Sequence, residues 1–252
     1  MPLDVHWVRS FFPRRDIRWA TTATSTMVSA TSLAQAGCPS GTIVGADEQL
    51  NGQGRYGRHW NSQAGVGLYV SEVLRLPIPA DSLPVVTLAL GLAVSDAILR
   101  TTDVACDLRW PNDVMLRKKK CAGILVQLHE QAIVAGIGIN VNQTEFPEEL
   151  QGTATSIRMV TGKEHCREKL LVALIESVDS FTDMLVHQGK EAILRAFEAG
   201  SSFVRGRRVI VDQGGERIEG TTEGLDRAGF LVLREVGGKR TVVLAGGVRA
   251  AP

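Results

Sequence analysis

The pattern of apolar residues changes towards the end of the chain, and this change limits the folds that the sequence can adopt. Residues 167–187 and 190–199 carry apolar side chains at the spacing of amphipathic helices. From residue 203 onward, short β-branched runs alternate with glycine-rich turns. We therefore predict a larger unit at residues 1–203 and a small all-β barrel at residues 204–252.

The larger unit alternates between helix and strand patterns. Two further helices are predicted at residues 25–37 and 83–99, the first ending at Gly37. Strands are predicted in this unit at residues 42–46, 67–74, 105–110, 113–116, 120–128 and 132–139. Strands of the barrel are predicted at residues 208–212, 218–225, 230–236 and 240–244.

Composition excludes several classes of protein. The 252 residues are 44% hydrophobic and 22% charged, which is typical of a globular protein with a sizeable core. The formal net charge of +1 gives no field for nucleic acid or an anionic membrane, and the basic run at residues 117–120 is too short for a nucleic-acid patch. The longest uncharged run, between Asp81 and Asp96, is too short to cross a bilayer.

The N-terminus and the cysteines indicate a cytoplasmic protein. The first residues include charged side chains and no apolar run of the kind found in a secretory signal. The four cysteines are Cys38, Cys106, Cys121 and Cys166. Because they form no C-x-x-C pair, we expect reduced and mostly buried thiols, with neither a disulfide framework nor a zinc site.

Residues 52–60 form a glycine-rich loop between two predicted strands. Three glycines, two arginines and Trp60 fall within nine residues. Glycines let the backbone approach a ligand closely, and guanidinium groups match phosphate oxygens. The alternative is an ordinary solvated surface loop. Gly52, Gly54 and Gly57 also match G-x-G-x-x-G, but a turn-rich run follows where a dinucleotide site would open a helix, so we expect no dinucleotide site.

Four other segments supply polar groups in register with this loop. Asn112 and Asp113 follow a turn-setting proline, and Lys120 stands at the entry of the next predicted strand. Residues 136–142 combine two glycines with two asparagines at the end of a strand. Ser25 and its neighbour Thr26 offer hydroxyls at a helix N-terminus, where they could equally act as simple caps.

Taken together, these segments resemble the biotin protein ligases. That family carries a GRGRxGRxW loop, a KWPND segment, a K-x-A-G-I-L strand and a G-x-G-I-N strand, and all four have counterparts here in the same order. The resemblance implies an α+β fold, with a mixed β-sheet flanked by helices in a class II synthetase-like catalytic domain and a small C-terminal SH3-like β-barrel. It also suggests the shorter, monofunctional type without a DNA-binding domain.

The resemblance implies a two-step reaction with biotin and ATP as substrates and Mg²⁺ held mainly by the ATP phosphates. Biotin is activated as biotinyl-5′-AMP and is then passed to a lysine of a biotin carboxyl carrier protein, from acetyl-CoA carboxylase or a related enzyme. Neither step needs a protein nucleophile. The enzyme would be a cytoplasmic monomer or homodimer with no DNA or membrane partner.

Catalytic and ATP-binding roles carry over by position. Lys120 matches the lysine that contacts both the biotin carboxylate and the α-phosphate, and Arg55 matches a catalytic arginine of the closing loop. The residues expected at ATP or the adenylate are Gln53, Arg55, Arg58, Trp60, Asn112, Asp113, Lys120 and Asn140. Trp60 would stack on adenine or serve only in the core, and Asn140 would read the adenine edge or cap a strand end.

Biotin-binding roles carry over in the same way. The expected residues are Ser25, Thr26, Gln49, Gly52, Arg55, Lys120, Gly123 and Gly136. The hydroxyl and amide groups suit the ureido ring, and the two strand glycines would border the bicyclic ring. We expect the loop to be mobile when empty and ordered when occupied.

The sequence departs from the family pattern at two positions. Gln53 stands in place of the first loop arginine, and Arg109 in place of the lysine before Trp-Pro-Asn-Asp. Two rival functions remain at this point, a lipoate or octanoate ligase and a biotin-sensing module without catalysis.

Overall fold

The computed structural model describes residues 2–213 and 216–251, which contain seven α-helices, two short 3-10 helices and twelve strands. The helices are Val5–Phe11 (α1), Thr26–Gln35 (α2), Leu83–Thr102 (α3), Glu148–Gln151 (α4), Ile157–Thr161 (α5), Arg167–Gln188 (α6) and Lys190–Ala199 (α7). The first seven strands are Ile17–Ala23 (β1), Thr42–Gln49 (β2), Gly67–Leu74 (β3), Asp107–Arg109 (β4), Asp113–Leu116 (β5), Lys119–His129 (β6) and Ala132–Asn140 (β7). The last five are Arg205–Gln213 (β8), Glu216–Leu225 (β9), Leu231–Glu235 (β10), Arg240–Val243 (β11) and Gly247–Ala250 (β12).

The first seven strands form one mixed sheet in the order β1-β2-β3-β7-β6-β5-β4. Only β1 and β2 pair in parallel among these neighbours, and the other pairs are antiparallel. Strands β3 and β7 are buried along their whole length because helices cover both faces of the sheet. The predicted mixed sheet flanked by helices is confirmed.

The two faces of the sheet carry different layers. On one face α2 packs through Met27, Ala30 and Ala34 against apolar side chains of β2, β3 and β7. The main core lies on the other face, beneath α3 and α6. The α2 face leaves room beside the helix, and the polar residues of the sequence motifs gather there.

Helix α3 is apolar on nearly every side. Within the described residues it alone has the length and composition of a membrane span, 20 residues with a mean hydropathy of 1.7. Most of its side chains are buried against the sheet and α6, which is the environment of a core helix.

The last five strands form a separate antiparallel sheet in the order β11-β10-β9-β8-β12. This sheet matches the small C-terminal barrel expected from the turn-rich pattern. It packs on the larger unit, where the Trp110 indole N–H donates to the Gly229 carbonyl over 2.9 Å. Strand β8 begins at Arg205, and the division of the chain after residue 203 stays a prediction.

Three predicted elements, β3, β5 and α7, begin and end at the predicted residues. Helix α6 begins at the predicted residue, Arg167. Unpredicted elements include α1, β1, α4, α5 and β12. The expectation of mostly buried thiols was wrong. Cys121 is buried, but Cys38 and Cys106 are half-buried and Cys166 is exposed, because it lies in the loop that caps α6.

Candidate active site

A cleft of about 430 Å³, partly open to solvent, lies between α2 and the middle of the large sheet. Its floor is formed by Gly123 of β6 and by Gly136 and Gly138 of β7, which project no side chain into the space. The other lining residues are Thr26, Met27, Gln49, Gln53, Gly54, Arg55, Trp60, Val70, Asn112, Lys120, Ile124, Leu125 and Ile137.

The indole of Trp60 lies flat on this glycine floor. A methyl group added at Gly138 would come within 2.4 Å of the indole, and one at Gly123 within 2.9 Å. The two glycines are directly paired across β6 and β7. The indole nitrogen is buried without a hydrogen-bond partner among the described residues. The glycines therefore form a seat for a flat ring system, which Trp60 occupies at one end.

The glycine-rich loop folds as a small hairpin that carries Trp60 into the cleft. The Trp60 amide donates to the Gly52 carbonyl, and the Gly54 amide donates to the Arg58 carbonyl, both over 2.8 Å. A side chain at Gly52 would lie 2.6 Å from the Trp60 carbonyl, so this position needs glycine. The predicted ordering of the loop by ligand stays a prediction.

The two loop arginines occupy different environments. Arg55 lines the cleft, and its Nη1 donates to Asn112 Oδ1 over 3.0 Å. Arg58 and Gln53 are exposed, although Gln53 also borders the cleft. Asn112 is itself fixed because its Nδ2 donates to the Ile124 carbonyl over 2.9 Å. The structure thus brings Arg55 and Asn112 together, and leaves Arg58 at the rim.

Lys120 is held by a carboxylate that it shares with Arg109. Asp113 Oδ1 lies 2.6 Å from Lys120 Nζ, and its Oδ2 lies 2.7 Å from Arg109 Nη2. Burial by itself would raise the pKa of Asp113, but the two cations and their hydrogen bonds hold that pKa below its ordinary value. Lys120 Nζ is also 5.3 Å from the Trp60 ring centroid. The ammonium is therefore positioned at the edge of the glycine floor.

Two of the predicted ureido-binding residues, Thr26 and Gln49, are joined by hydrogen bonds at the start of α2. The Gln49 Oε1 atom accepts from the Thr26 amide over 2.8 Å and from its hydroxyl over 3.0 Å. The Ser71 hydroxyl donates to Thr26 Oγ1 over 2.8 Å. The Ser25 hydroxyl is buried without a partner among the described residues, and it does not cap α2. Thr26 and Gln49 line the cleft, and Ser25 is not among its described lining residues.

Asn140 is set apart from the cleft. Its side chain is buried, and Nδ2 donates to the Thr155 carbonyl over 3.0 Å. Its role at the adenine edge stays a prediction, because the described lining of the cleft does not include it. The other predicted residues outside the described lining are Ser25, Gly52, Arg58 and Asp113.

Sequence reasoning missed three contributors to the site. Met27 fills the space above Gly136, where an added methyl group would lie 2.6 Å from its Sδ atom. Ser71 supports Thr26, and Tyr56 contacts Arg55. Met27 could have been found from the sequence, because it follows Thr26 on the first turn of a predicted helix. The partners of Ser71 and Tyr56 depend on tertiary packing and gave no such signal.

The charge of the cleft favours an anionic ligand. Its described lining includes the cations Lys120 and Arg55 and contains no Asp, Glu, His or Cys. Among the described residues no group of three His, Cys, Asp or Glu side chains is arranged to hold a metal ion. The arrangement can stabilise negative charge that develops on a bound phosphate.

Comparisons with known proteins agree on one family. The model of the biotin/lipoate A/B protein ligase family matches residues 19–143. A biotin–[acetyl-CoA-carboxylase] ligase from Mycobacterium tuberculosis is 32% identical over 213 residues, covering 82% of this chain and 78% of the relative. The bifunctional ligase/repressor BirA of Bacillus subtilis is 36% identical over 171 residues, and the match spans about half of its length, 53%, and 65% of this chain.

A solved structure extends the likeness over nearly the whole chain. The biotin protein ligase from Aquifex aeolicus in complex with biotin and ATP superposes with a TM-score of 0.83 and 31% identity, covering 94% of this chain and 99% of the other. This chain therefore belongs to the biotin/lipoate A/B protein ligase family, as one of its biotin protein ligases.

Proposed function

We propose that the protein is an ATP-dependent ligase that activates biotin as biotinyl-5′-AMP and transfers it to a lysine of a biotin carboxyl carrier protein. The observation that carries this proposal is the joint position of Lys120 and Arg55 beside a floor of three glycines. Biotin would bind in the cleft beside these glycines, and the two cations lie where its carboxylate and a phosphate would meet.

In the first step a carboxylate oxygen of biotin attacks the α-phosphorus of ATP, and pyrophosphate leaves. Negative charge accumulates on the phosphoryl oxygens in the transition state, and cations already in place stabilise it without reorganisation. Lys120 is held in place by Asp113, and Arg55 by Asn112. The reaction therefore uses electrostatic stabilisation and positioning rather than a protein nucleophile.

In the second step a neutral lysine amine of the acceptor attacks the acyl carbon of biotinyl-5′-AMP. The bond from carbon to the phosphate oxygen breaks, AMP leaves with the electron pair, and the amine loses a proton to solvent. Lys120 and Arg55 lower the charge on the departing phosphate. The same two cations thus serve both steps.

Biotin is the proposed substrate rather than lipoate because of the hydroxyl and amide groups in the cleft. Thr26 and Gln49 line the cleft together with Met27 and Gly136. A ureido group has one acceptor and two donors for such partners, whereas the dithiolane ring of lipoate has none of these groups.

The cellular setting forms part of the proposal. The acceptor would be the carrier domain of acetyl-CoA carboxylase or a related biotin-dependent enzyme. The ligase would act in the cytoplasm, as a monomer or homodimer, without binding DNA or membrane.

Transfer to a carrier domain tests the proposal. The protein is incubated with biotin, ATP, magnesium and a recombinant carrier domain, and the mass of the domain is measured. We expect one biotin on the acceptor lysine and none on a domain with that lysine changed to arginine. Modification of neither domain under conditions in which a known biotin ligase labels the first would contradict the proposed function.

A further inference from the structure

The side chain of Tyr56, at the tip of the glycine-rich loop, bridges this loop to the C-terminal barrel. The Gly246 amide in the turn before β12 donates to the Tyr56 hydroxyl oxygen over 2.7 Å. Nη2 of Arg55 donates to the same oxygen over 2.9 Å, and the guanidinium lies 4.9 Å from the centroid of the Tyr56 ring. One phenol oxygen therefore accepts hydrogen bonds from the barrel and from a cleft arginine.

The barrel side of this contact is a closely packed turn at a glycine. Gly246 has a φ of +132°, a conformation that favours glycine, and an added methyl group would lie 2.6 Å from the Asp212 carbonyl. The next residue, Gly247, pairs with Asp212 where β12 joins β8. The amide of Gly246 is thus held at a fixed point of the barrel and can act as an anchor.

The loop side of the contact has few other restraints. Tyr56 is 63% exposed and adopts a φ of +59°, so little apolar burial holds the tip of the hairpin. Ordering each residue of such a loop costs backbone entropy. Under these conditions a single hydrogen bond of ordinary strength changes the equilibrium constant between the open and the closed loop by about fivefold.

The contact also determines where Arg55 points. Its guanidinium is divided between Asn112 Oδ1 and the Tyr56 hydroxyl, which fixes the plane of the group at the cleft. Without the Tyr56 oxygen, the Arg55 guanidinium would keep its hydrogen bond to Asn112 Oδ1 and lose the one to Tyr56. The orientation of Arg55 is therefore coupled to the barrel through Tyr56.

We propose that Tyr56 is a positioning residue, and that through it the barrel holds the Arg55 loop closed over the cleft. The inference rests on the proposed function for its catalytic consequence, because closure would retain biotinyl-5′-AMP. The physical coupling itself does not depend on the identity of the ligand.

The first test measures amide hydrogen exchange in the ligand-free full chain. In Tyr56→Phe the ring stays but the acceptor is lost. We expect the amides of Gly54 and Trp60, which close the hairpin, to exchange about fivefold faster together with that of Gly246. His59→Gln, an exposed change in the same hairpin, should leave all three rates unchanged. Faster exchange of Gly246 alone would overturn the proposal, because the bond would then exist without holding the loop.

The second test measures retention of the adenylate. After biotinyl-5′-AMP is formed on the enzyme, we expect it to dissociate about fivefold faster from Tyr56→Phe than from the wild type or His59→Gln. Equal dissociation rates would contradict the catalytic part of the inference. If the wild type formed no adenylate, the proposed function would fail, whereas the exchange measurement would still decide the coupling.

Discussion

The carboxylate of Asp113 lies between two cations, 2.6 Å from Lys120 Nζ through one oxygen and 2.7 Å from Arg109 Nη2 through the other. Lys120 is the residue to which the chemistry assigns the largest electrostatic role. Its ammonium is therefore oriented by a group that does not itself line the cleft, and Arg109, which replaces the more usual lysine, is part of the same arrangement.

Asp113→Asn should show how much the orientation of the Lys120 ammonium contributes, because Lys120 itself is unchanged. The change leaves two neighbouring cations without their shared counter-ion in a mostly buried position, and we expect a loss of about 2 kcal/mol in the free energy of unfolding. We also expect about a tenfold loss in the rate of adenylation at saturating substrates, measured by pyrophosphate exchange. Arg109→Lys keeps the charge and serves as the control. An adenylation rate in Asp113→Asn equal to that of the control would show that Lys120 needs no such support.

Lys120→Ala should remove the main stabilising cation. We expect adenylation to fall by about a hundredfold or more, since one well-placed donor contributes about 3 kcal/mol to such transition states. The exposed neighbour Lys118, in the turn before β6, provides a matched control because Lys118→Ala removes the same charge outside the cleft. Near-normal pyrophosphate exchange by Lys120→Ala would show that another residue carries the catalytic role.

The glycine floor predicts different effects at two positions of β7. In Gly138→Ala the new methyl group would lie 2.4 Å from the Trp60 indole and would expel it from its seat, so we expect at least a tenfold loss in affinity for ATP. In Gly136→Ala the nearest atom is the Met27 Sδ atom, and a flexible methionine can move aside. We expect a smaller change in ATP affinity there. Calorimetric titration of both variants with ATP checks the order, and equal losses would argue against the seat.

Glu72 predicts a dependence of stability on pH. Burial raises the pKa of this carboxyl to about 8, opposed by Arg15 at 3.5 Å and reinforced by Asp179, which pairs with the same arginine. Because the folded state holds the proton to a higher pH than the unfolded chain, stability should fall as the pH rises from about 5 to about 8. A pKa shift of this size corresponds to at most about 5 kcal/mol.

The variant Glu72→Gln should flatten this dependence, because its amide does not ionise. Denaturant unfolding at about pH 5 and about pH 9 measures the difference for the wild type and the variant. Glu176→Gln, which removes an exposed partner of Arg100, serves as the control. If the wild type and Glu72→Gln lost the same free energy of unfolding over this range, the pH dependence would arise from groups other than Glu72.

The sequence predicted the elements in which packing and local pattern agree. Strand β3 is buried on both faces and has the predicted ends, and α7 has a clear helical period. Strand β1 was missed because Ile17–Ala23 is an edge strand with several exposed polar side chains, so that its pairing with β2 supplies the order that its own pattern lacks. Strand β12 has only four residues and depends on β8.

The candidate site was predictable where a motif carries the residue. The positions of Lys120, Arg55, Trp60 and the strand glycines followed from the family resemblance, and the structure brings them to one cleft. The contact between Tyr56 and Gly246 joins residues 190 positions apart, so no local pattern could indicate it. Asn140 belongs to a motif, but its side chain is buried outside the described lining of the cleft and donates to the Thr155 carbonyl.

The most direct test of the proposed chemistry is the exchange of labelled pyrophosphate into ATP, run in parallel with biotin and with lipoate. The account predicts exchange that depends on biotin, is absent with lipoate and falls by about a hundredfold in Lys120→Ala. Exchange with lipoate and none with biotin would contradict it.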